Sequence, residues 1–400
     1  MILLVETKNH MNDRCIDDTT LRDGVQMPGI RAPSPEERLE IARLLSKIGV
    51  ERIEMFGTWY DIDRQSAKLV LESEIVDKTR VAIWVRANKV DIDDALRLPN
   101  IKEVGISHPI SDIHLKYKLQ IDREAAYKRI EEVVQYAIDH GLTVFYHGED
   151  CTRADWNFEL KIIKLLEELK VDTYRICDTV GVGSVHHTSN TIPISRSIPD
   201  KVEYLCKNFK LNFEFHGHDD LGNAVSNTLI ALVHGCKWAS TTMLGIGERS
   251  GNAESEKVIM NLKYHHGVDK YDVKYLTEVC QKISKAMEIT IPANKAIVGI
   301  NAFTHQSGIH TAGIIQHPET YEPFPPESVG NKRRLLVGPY SGKQVIYYKI
   351  KELDPNISDK DSRVKNLINY LQNHLFGSGI RKSALTDDEF KEIARKFAII

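Results

Sequence analysis

NFEFHGHDD, residues 212–220, alternates Phe213 and Phe215 with Glu214 and His216 and then closes on His218, Asp219 and Asp220. A period of two is the signature of a strand. Seven other short runs rich in β-formers share the first 250 residues with it: RCIDDTT (14–20), VERIEM (50–55), VAIWVRA (81–87), IKEVGISH (101–108), LTVFYHGED (142–150), VDTYRICDT (171–179) and WASTTMLGIGE (238–248). Most are preceded by a helical pattern. Ser34, Pro35 and Glu37 supply an N-cap, a proline in the first turn and a capping-box acid. Leu39, Leu44, Leu45 and Ile48 follow as an apolar stripe, and Gly49 ends it. EAAYKRIEEVVQYAIDHG (124–141) and WNFELKIIKLLEELK (156–170) are two further helices. Strand–helix alternation repeated eight times predicts an α/β chain with a parallel sheet, and this length suits a closed (β/α)8 barrel of the TIM type. A doubly wound open sheet is the competing arrangement. Against it, no GxGxxG follows the first strand; the stretches GVGS and GIGE come late and lack the motif.

The barrel is expected over 1–275, a linker and catalytic lid over 276–346, and a small helical subdomain over 347–400. The chain has 400 residues, 42% hydrophobic, and a formal charge of −3, which gives no reason to expect a nucleic-acid or membrane partner. No apolar run is long enough for a transmembrane helix, and MILLVETKNHMNDR does not read as a signal peptide. Six scattered cysteines without a CxxC suit a reduced, cytoplasmic chain.

Chemistry in such a barrel sits at the carboxyl ends of the strands, and polar residues gather there. They are Thr20, Arg22 and Asp23 after strand 1, Glu54 on strand 2, Arg86 on strand 3, and Ser107 and His108 on strand 4. His147, Glu149 and Asp150 follow on strand 5, Cys177, Asp178 and Thr179 on strand 6, His216 and His218 on strand 7, and Glu248, Arg249 and Asn252 after strand 8. Charges in apolar strands are costly unless paired or used. His216 and His218, two apart, face one side; a carboxylate such as Asp23 would complete a two-histidine, one-carboxylate metal set. Hydrogen-bonded core histidines are the bland alternative. Arg22 suits a developing oxyanion or a salt bridge to Glu54 or Glu149. Thr179 reads as a carboxylate binder or a turn cap, and GIGERSGN (245–252) as an anion cradle or a turn, with Asn252 in reach of a metal. SGIHTAG (307–313) with His310, and the segment holding Tyr321, lie outside the barrel and suit a cap over an active site, its own or a neighbour's, or a surface linker.

Taken in order, DDTTLRDGVQMPG, GEDCTRAD, CDTVG, HGHDDLGNAVSNTLIAL, GIGERSGNAESE and FTHQSGIHTAG…HPETYEPFPPESVG…SGK resemble the 2-isopropylmalate synthase and homocitrate synthase family from about residue 15 to 346. The resemblance implies a Claisen-type condensation of acetyl-CoA with a 2-oxo acid on a divalent metal (Mg, Mn or Zn), followed by thioester hydrolysis. It implies Asp23, His216 and His218 as metal ligands with Asn252 beside them, and Arg22 as stabiliser of the carbonyl or enolate oxygen. Glu149 and Thr179 would line the oxo-acid site. His310 and Tyr321 would be catalytic groups delivered to the partner's barrel, in a domain-swapped homodimer.

The chain departs from the family around the substrate side chain. SDIHLKYKL (111–119) has no arginine of the kind that holds a distal carboxylate in homocitrate synthases. IEMFGTWYD (53–61), Gly105, His147, Cys177 and Leu244 also differ from the usual isopropylmalate synthase residues. The expected substrate is therefore a monocarboxylic oxo acid with an apolar or aromatic side chain, lined by Glu54, His108, His147 and Cys177. Phe56, Trp59 and Tyr60 motivate the size. 2-Oxoglutarate and pyruvate are the alternatives. A leucine-feedback regulatory domain is not expected. The rival classes are a retro-Claisen lyase resembling 3-hydroxy-3-methylglutaryl-CoA lyase, and a non-catalytic homologue.

Overall fold

The computed structural model describes residues 11–400, so most of the stretch considered for a leader lies outside the described residues. The chain forms two compact units, one reaching to Ile291 and one spanning Pro292–Ile400.

The first unit is a closed parallel barrel of β1 (Cys15–Asp18), β2 (Arg52–Met55), β3 (Arg80–Arg86), β4 (Glu103–Pro109), β5 (Thr143–Glu149), β6 (Thr173–Asp178), β7 (Asn212–Gly217) and β8 (Trp238–Thr241). β1 pairs with both β2 and β8, which closes the ring and excludes the open sheet. Each strand lies within the run assigned to it, give or take a residue at its ends. The helix Pro35–Ile48 starts as its residues dictate: Ser34 accepts from the Glu37 amide at 3.2 Å, and Glu37 accepts from the Ser34 amide at 2.8 Å. Gly49 ends it with φ 97°.

Two boundaries differ from expectation. The helix Leu276–Met287, expected in the linker, belongs to the barrel unit. Its apolar face is buried (Leu276, Val279, Cys280, Ile283, Met287), and the Met287 carbonyl accepts from the Arg31 amide at 3.0 Å. The division at 346/347 is not a division of the fold. One apolar core joins Ile314, Leu335 and Val337 to Val345, Ile350, Leu367, Leu371 and Phe390.

Strand register decides which side chains face the lumen. Residues side by side in parallel strands share a face, and Asp17, Arg52, Glu103, Phe145, Arg175, Glu214 and Trp238 fall on inward rows. The barrel is thus filled partly by charge. Arg52 donates to Glu103 at 3.0 Å, to Asp17 at 3.1 Å and to Glu214. Its guanidinium lies between the rings of Phe145 and Trp238, 3.9 and 4.5 Å from their centroids. Arg175 donates to Glu54 at 2.6 Å, to Glu214 at 3.0 Å and to Asp17. The flat faces of these guanidinium groups stack on rings while their edges bind carboxylates, which lets arginine rather than lysine be buried here. Burial pushes the Asp17 carboxyl well above the usual range, with Glu214 and Glu54 adding to the rise against the two arginines.

Candidate metal centre and active site

At the carboxyl end of the barrel the β1 loop carries Asp23, β7 and its extension carry His216 and His218, and the β8 loop returns Asn252 beside His218. The Nε2 atoms of His216 and His218 lie 3.7 and 3.9 Å from Asp23 Oδ2. The rings are perpendicular with centroids 5.0 Å apart, and one ligand atom from each of the three residues lies within 4.8 Å of the others. No other such group of three occurs among the described residues. All three side chains are buried.

Three further observations fit a cation. Asp23 Oδ1 already accepts from Asn252 Nδ2 at 2.9 Å and the Glu248 amide at 3.2 Å, which leaves Oδ2 turned toward the histidines. His216 Nδ1 sits 2.9 Å from Ser240 Oγ, the outer contact that orients a metal-binding imidazole and leaves Nε2 free. Asn252 Oδ1 and His218 Nδ1 are buried without hydrogen-bond partners. Burial would raise the Asp23 carboxyl, but Arg22, then His218 and His216, hold it well below the usual range. Burial lowers both histidines, those of His216 furthest, so all three groups are in the ligating form at neutral pH. Gly247 makes the arrangement possible. At φ 155° its missing Cβ would lie 2.1 Å from Asn252 Nδ2 and 2.5 Å from Asp23 Oδ1.

Arg22 lies against this triad. Its Nη1 donates to Asp23 Oδ2 at 2.5 Å, and its Nε, 3.5 Å from Glu54 Oε2, is buried without a hydrogen-bond partner. Glu54 is surrounded by Arg175, Arg22 and His147, which hold it well below the carboxylate range against its burial. His147 Nε2 is 3.2 Å from Glu54 Oε1 and its Nδ1 3.4 Å from Arg175. Burial, then the Arg175 charge, push its imidazole down to about 4. Cys177 occupies the inward row beside His216, and burial raises its thiol.

Other sequence candidates take different places. Glu149 is held by His114 Nδ1 at 3.0 Å and Lys118 Nζ at 2.6 Å, and these outweigh burial to bring it to about 2. Thr179 Oγ1 accepts from the Asp150 amide at 2.8 Å, and its carbonyl from Arg249 at 2.6 Å. Arg86 turns to Asp91 in a two-pronged pair at 2.9 and 2.8 Å. His108 pairs with Gly148, one residue out of step with the inward Ser107–His147 row, so it faces the helical layer and not the lumen. Its Nδ1 lies 2.8 Å from the Pro109 carbonyl. His310 and Tyr321 belong to the second unit, with rings 4.3 Å apart.

The sequence reading missed the lumen arginines Arg52 and Arg175, together with Ser240 and Trp84. A signal existed for Arg175: YRIC places an arginine mid-strand among buried residues. Ser240 had none, since only its register opposite His216 gives it a role.

Burial of His108 as a neutral ring has a pH consequence. Its imidazole is lowered from 6.5 to about 4, chiefly by burial. Between those values the unfolded chain binds a proton that the folded chain refuses, so this contribution is complete above about pH 6.5 and is lost as pH falls. His108→Gln is expected to flatten the fall in urea-unfolding free energy between pH 6.5 and 4 by up to about 1.4 kcal/mol per pH unit. Identical slopes in the two proteins would count against a neutral buried His108.

Comparison with known proteins gives the family. The HMGL-like family model matches residues 15–283, and the model described as homocitrate synthase post-HMGL domain-like matches residues 297–374. The chain is 39% identical over 351 residues to a 2-isopropylmalate synthase of Sulfurisphaera tokodaii, covering 87% of this chain and 88% of that protein. It is 36% identical over 380 residues to a homocitrate synthase of Methanopyrus kandleri, with 94% and 91% covered. It is 39% identical over 351 residues to an (R)-citramalate synthase of Methanocaldococcus jannaschii, with 86% and 68% covered. Among solved structures, the HMG-CoA lyase of Brucella melitensis shares the barrel, with TM-score 0.57, 18% identity, and 69% of this chain and 99% of that one covered. With family models matching both the barrel and the second unit, the chain belongs to the HMGL-like family, within its group of 2-isopropylmalate, homocitrate and citramalate synthases, and is a condensing acyltransferase.

Proposed function

We propose that this enzyme condenses acetyl-CoA with a monocarboxylic 2-oxo acid bearing an apolar side chain, and that water then cleaves the thioester to release CoA and a 2-substituted malate. The observation that carries the reading is the juxtaposition of Asp23, His216 and His218 with Arg22 at the barrel mouth. A divalent cation held by those three residues, with Asn252 beside them, would bind the oxo acid and polarise its keto carbonyl. Arg22 directs its guanidinium at the same position and offsets the negative charge that grows on the oxygen under attack. Glu54 keeps Arg22 aimed. Arg175 and His147 fix Glu54 from the far side, so the group that meets charge in the transition state is oriented beforehand. His310 takes the proton from the acetyl methyl group, with Tyr321 against its ring. The homodimer in which these two residues serve the partner's barrel is part of the proposal, as is the choice among Mg, Mn and Zn.

The side-chain preference rests on charge and packing. Among the described residues, each arginine whose side chain lies in the lumen already faces carboxylates: Arg22 faces Asp23 and Glu54, Arg52 faces Asp17, Glu103 and Glu214, and Arg175 faces Asp17, Glu54 and Glu214. A second substrate carboxylate buried there would lack a partner. The wall at β2 and β3 is aromatic instead. Phe56 stacks on Trp59 at 4.9 Å, and Trp84 meets both edge-on at 5.5 and 5.3 Å. His108, on the outer face, drops out of the pocket in this reading.

Thiol release from acetyl-CoA with pyruvate, 2-oxoisovalerate, phenylpyruvate, glyoxylate and 2-oxoglutarate tests it. The apolar monocarboxylates are expected to lead, and a preference for 2-oxoglutarate would overturn the side-chain assignment. Trp84→Ala is expected to shift kcat/KM toward bulkier oxo acids by on the order of tenfold. An unchanged ranking would remove Trp84 from the pocket.

A further inference from the structure

The second unit holds a buried carboxylate next to its candidate catalytic tyrosine. Residues 321–324 alternate outward and inward: Tyr321 and Pro323 are exposed, whereas Glu322 is 4% exposed and Phe324 partly buried. Phe324 meets Phe303 edge-on at 5.6 Å. Glu322 receives both prongs of Arg333, at 2.8 and 2.5 Å, and lies 3.3 Å from His305 Nε2. Phe303 and His305 are two apart along the segment that enters β9 (Thr304–His305), and Arg333 immediately precedes β10 (Arg334–Leu335), the parallel partner of β9. The chain after Tyr321 is therefore fastened to both members of one small sheet. The Tyr321 and Glu322 amides also donate to the Pro318 carbonyl, at 3.1 and 3.0 Å.

These fastenings set where the Tyr321 ring lies. It rests on the helix Gly308–Gln316, with its centroid 4.3 Å from that of His310. One turn on, a Cβ at Gly313 would come within 2.9 Å of Tyr321 Cε2, so the ring needs the helix surface bare there. His310 and Tyr321 are themselves exposed. A bidentate arginine–carboxylate pair gives direction as well as energy, and it acts here on the residue adjoining the tyrosine.

We propose that Glu322, clamped by Arg333 and His305, is a positioning residue that holds Tyr321 against His310 for proton transfer. It does not touch substrate. The proposal rests on the reading of His310 and Tyr321 as catalytic groups. Misplacing a reacting group by about 1 Å costs on the order of a hundredfold in rate, so a loosened clamp lowers kcat and leaves substrate affinity nearly alone.

The test uses the full-length enzyme with Arg333→Met, Arg333→Lys and Glu322→Gln, and with His310→Ala and Tyr321→Phe as references. Arg333→Met is expected to lower kcat by about tenfold or more with both KM values within about twofold, and Arg333→Lys to recover part of the loss. In ring-labelled histidine NMR spectra, the His310 Cε1–H signal, assigned by its absence from His310→Ala, should move in Arg333→Met and Glu322→Gln as the Tyr321 ring shifts. Glu322→Gln keeps the side-chain shape, so it provides the same readout where Arg333→Met fails to fold. Wild-type kcat and an unmoved His310 signal in Glu322→Gln and Arg333→Met, while His310→Ala and Tyr321→Phe are impaired, would overturn the clamp. Unimpaired His310→Ala and Tyr321→Phe would overturn the catalytic reading beneath it.

Discussion

Asp23→Ala and His218→Ala are each expected to weaken metal binding by more than about a hundredfold and to abolish condensation while the barrel stays folded. Asp23 Oδ2 is the point toward which both histidine Nε2 atoms turn, at 3.7 and 3.9 Å, and its other oxygen is occupied by Asn252 and Glu248. Removing it leaves two imidazoles with no anion between them. Equilibrium dialysis with Mn2+ and far-UV circular dichroism would check the two halves of the statement. Wild-type metal affinity in either variant would refute the ligand set. The same Asp23→Ala protein tests the proposed dimer. Mixed with His310→Ala subunits, it should regain part of the activity if the second unit serves the partner's barrel, because each mixed dimer then holds one complete site. No recovery, with subunit exchange shown by mass, would place His310 with its own barrel.

Arg175→Met is expected to cost about 3–5 kcal/mol of stability, measured by urea unfolding. The lumen holds Asp17, Glu54, Glu103 and Glu214 around Arg52 and Arg175, all but Glu103 fully shielded from water. Removing Arg175 leaves Glu54 without the guanidinium closest to it, at 2.6 Å against 3.5 Å for Arg22, and takes one of two from Glu214. Those carboxylates must then take up protons or remain charged in a medium that solvates them poorly. Replacing the whole group with apolar residues need not be so costly, because breaking a buried ion pair differs from exchanging it. Activity should fall beyond what stability explains if Glu54, 3.5 Å from the Arg22 Nε, aims that guanidinium as proposed. A loss below about 1 kcal/mol would show that the lumen charges are screened by water.

The architecture was legible because it is written in local periodicity. Runs such as NFEFHGHDD and VDTYRICDT alternate with capped helices, and eight repetitions leave few topologies open. His216 and His218 were legible as a pair for the same reason, as residues two apart on one strand share a face. The start of the second unit was not, because the helix Leu276–Met287 has the same apolar stripe whether it packs on a barrel or begins a new domain. Nor was the unity of its core, which joins residues as far apart as Ile314 and Ile399.

Sequence alone determined the barrel and the polar residue types that gather at the carboxyl ends of its strands. Only the tertiary structure decided which of them act together. One step of register sends His147 into the lumen and His108 out to the helices, though both are strand-end histidines. Closure of β1 onto β8 brings Asp23 to histidines nearly two hundred residues away. Arg52 and Arg175 find their carboxylates only when four strands deliver them. The reason is the same in each case. Periodicity is set by a residue's near neighbours, whereas pairing depends on Coulomb and hydrogen-bonding partners that approach only when the sheet has closed.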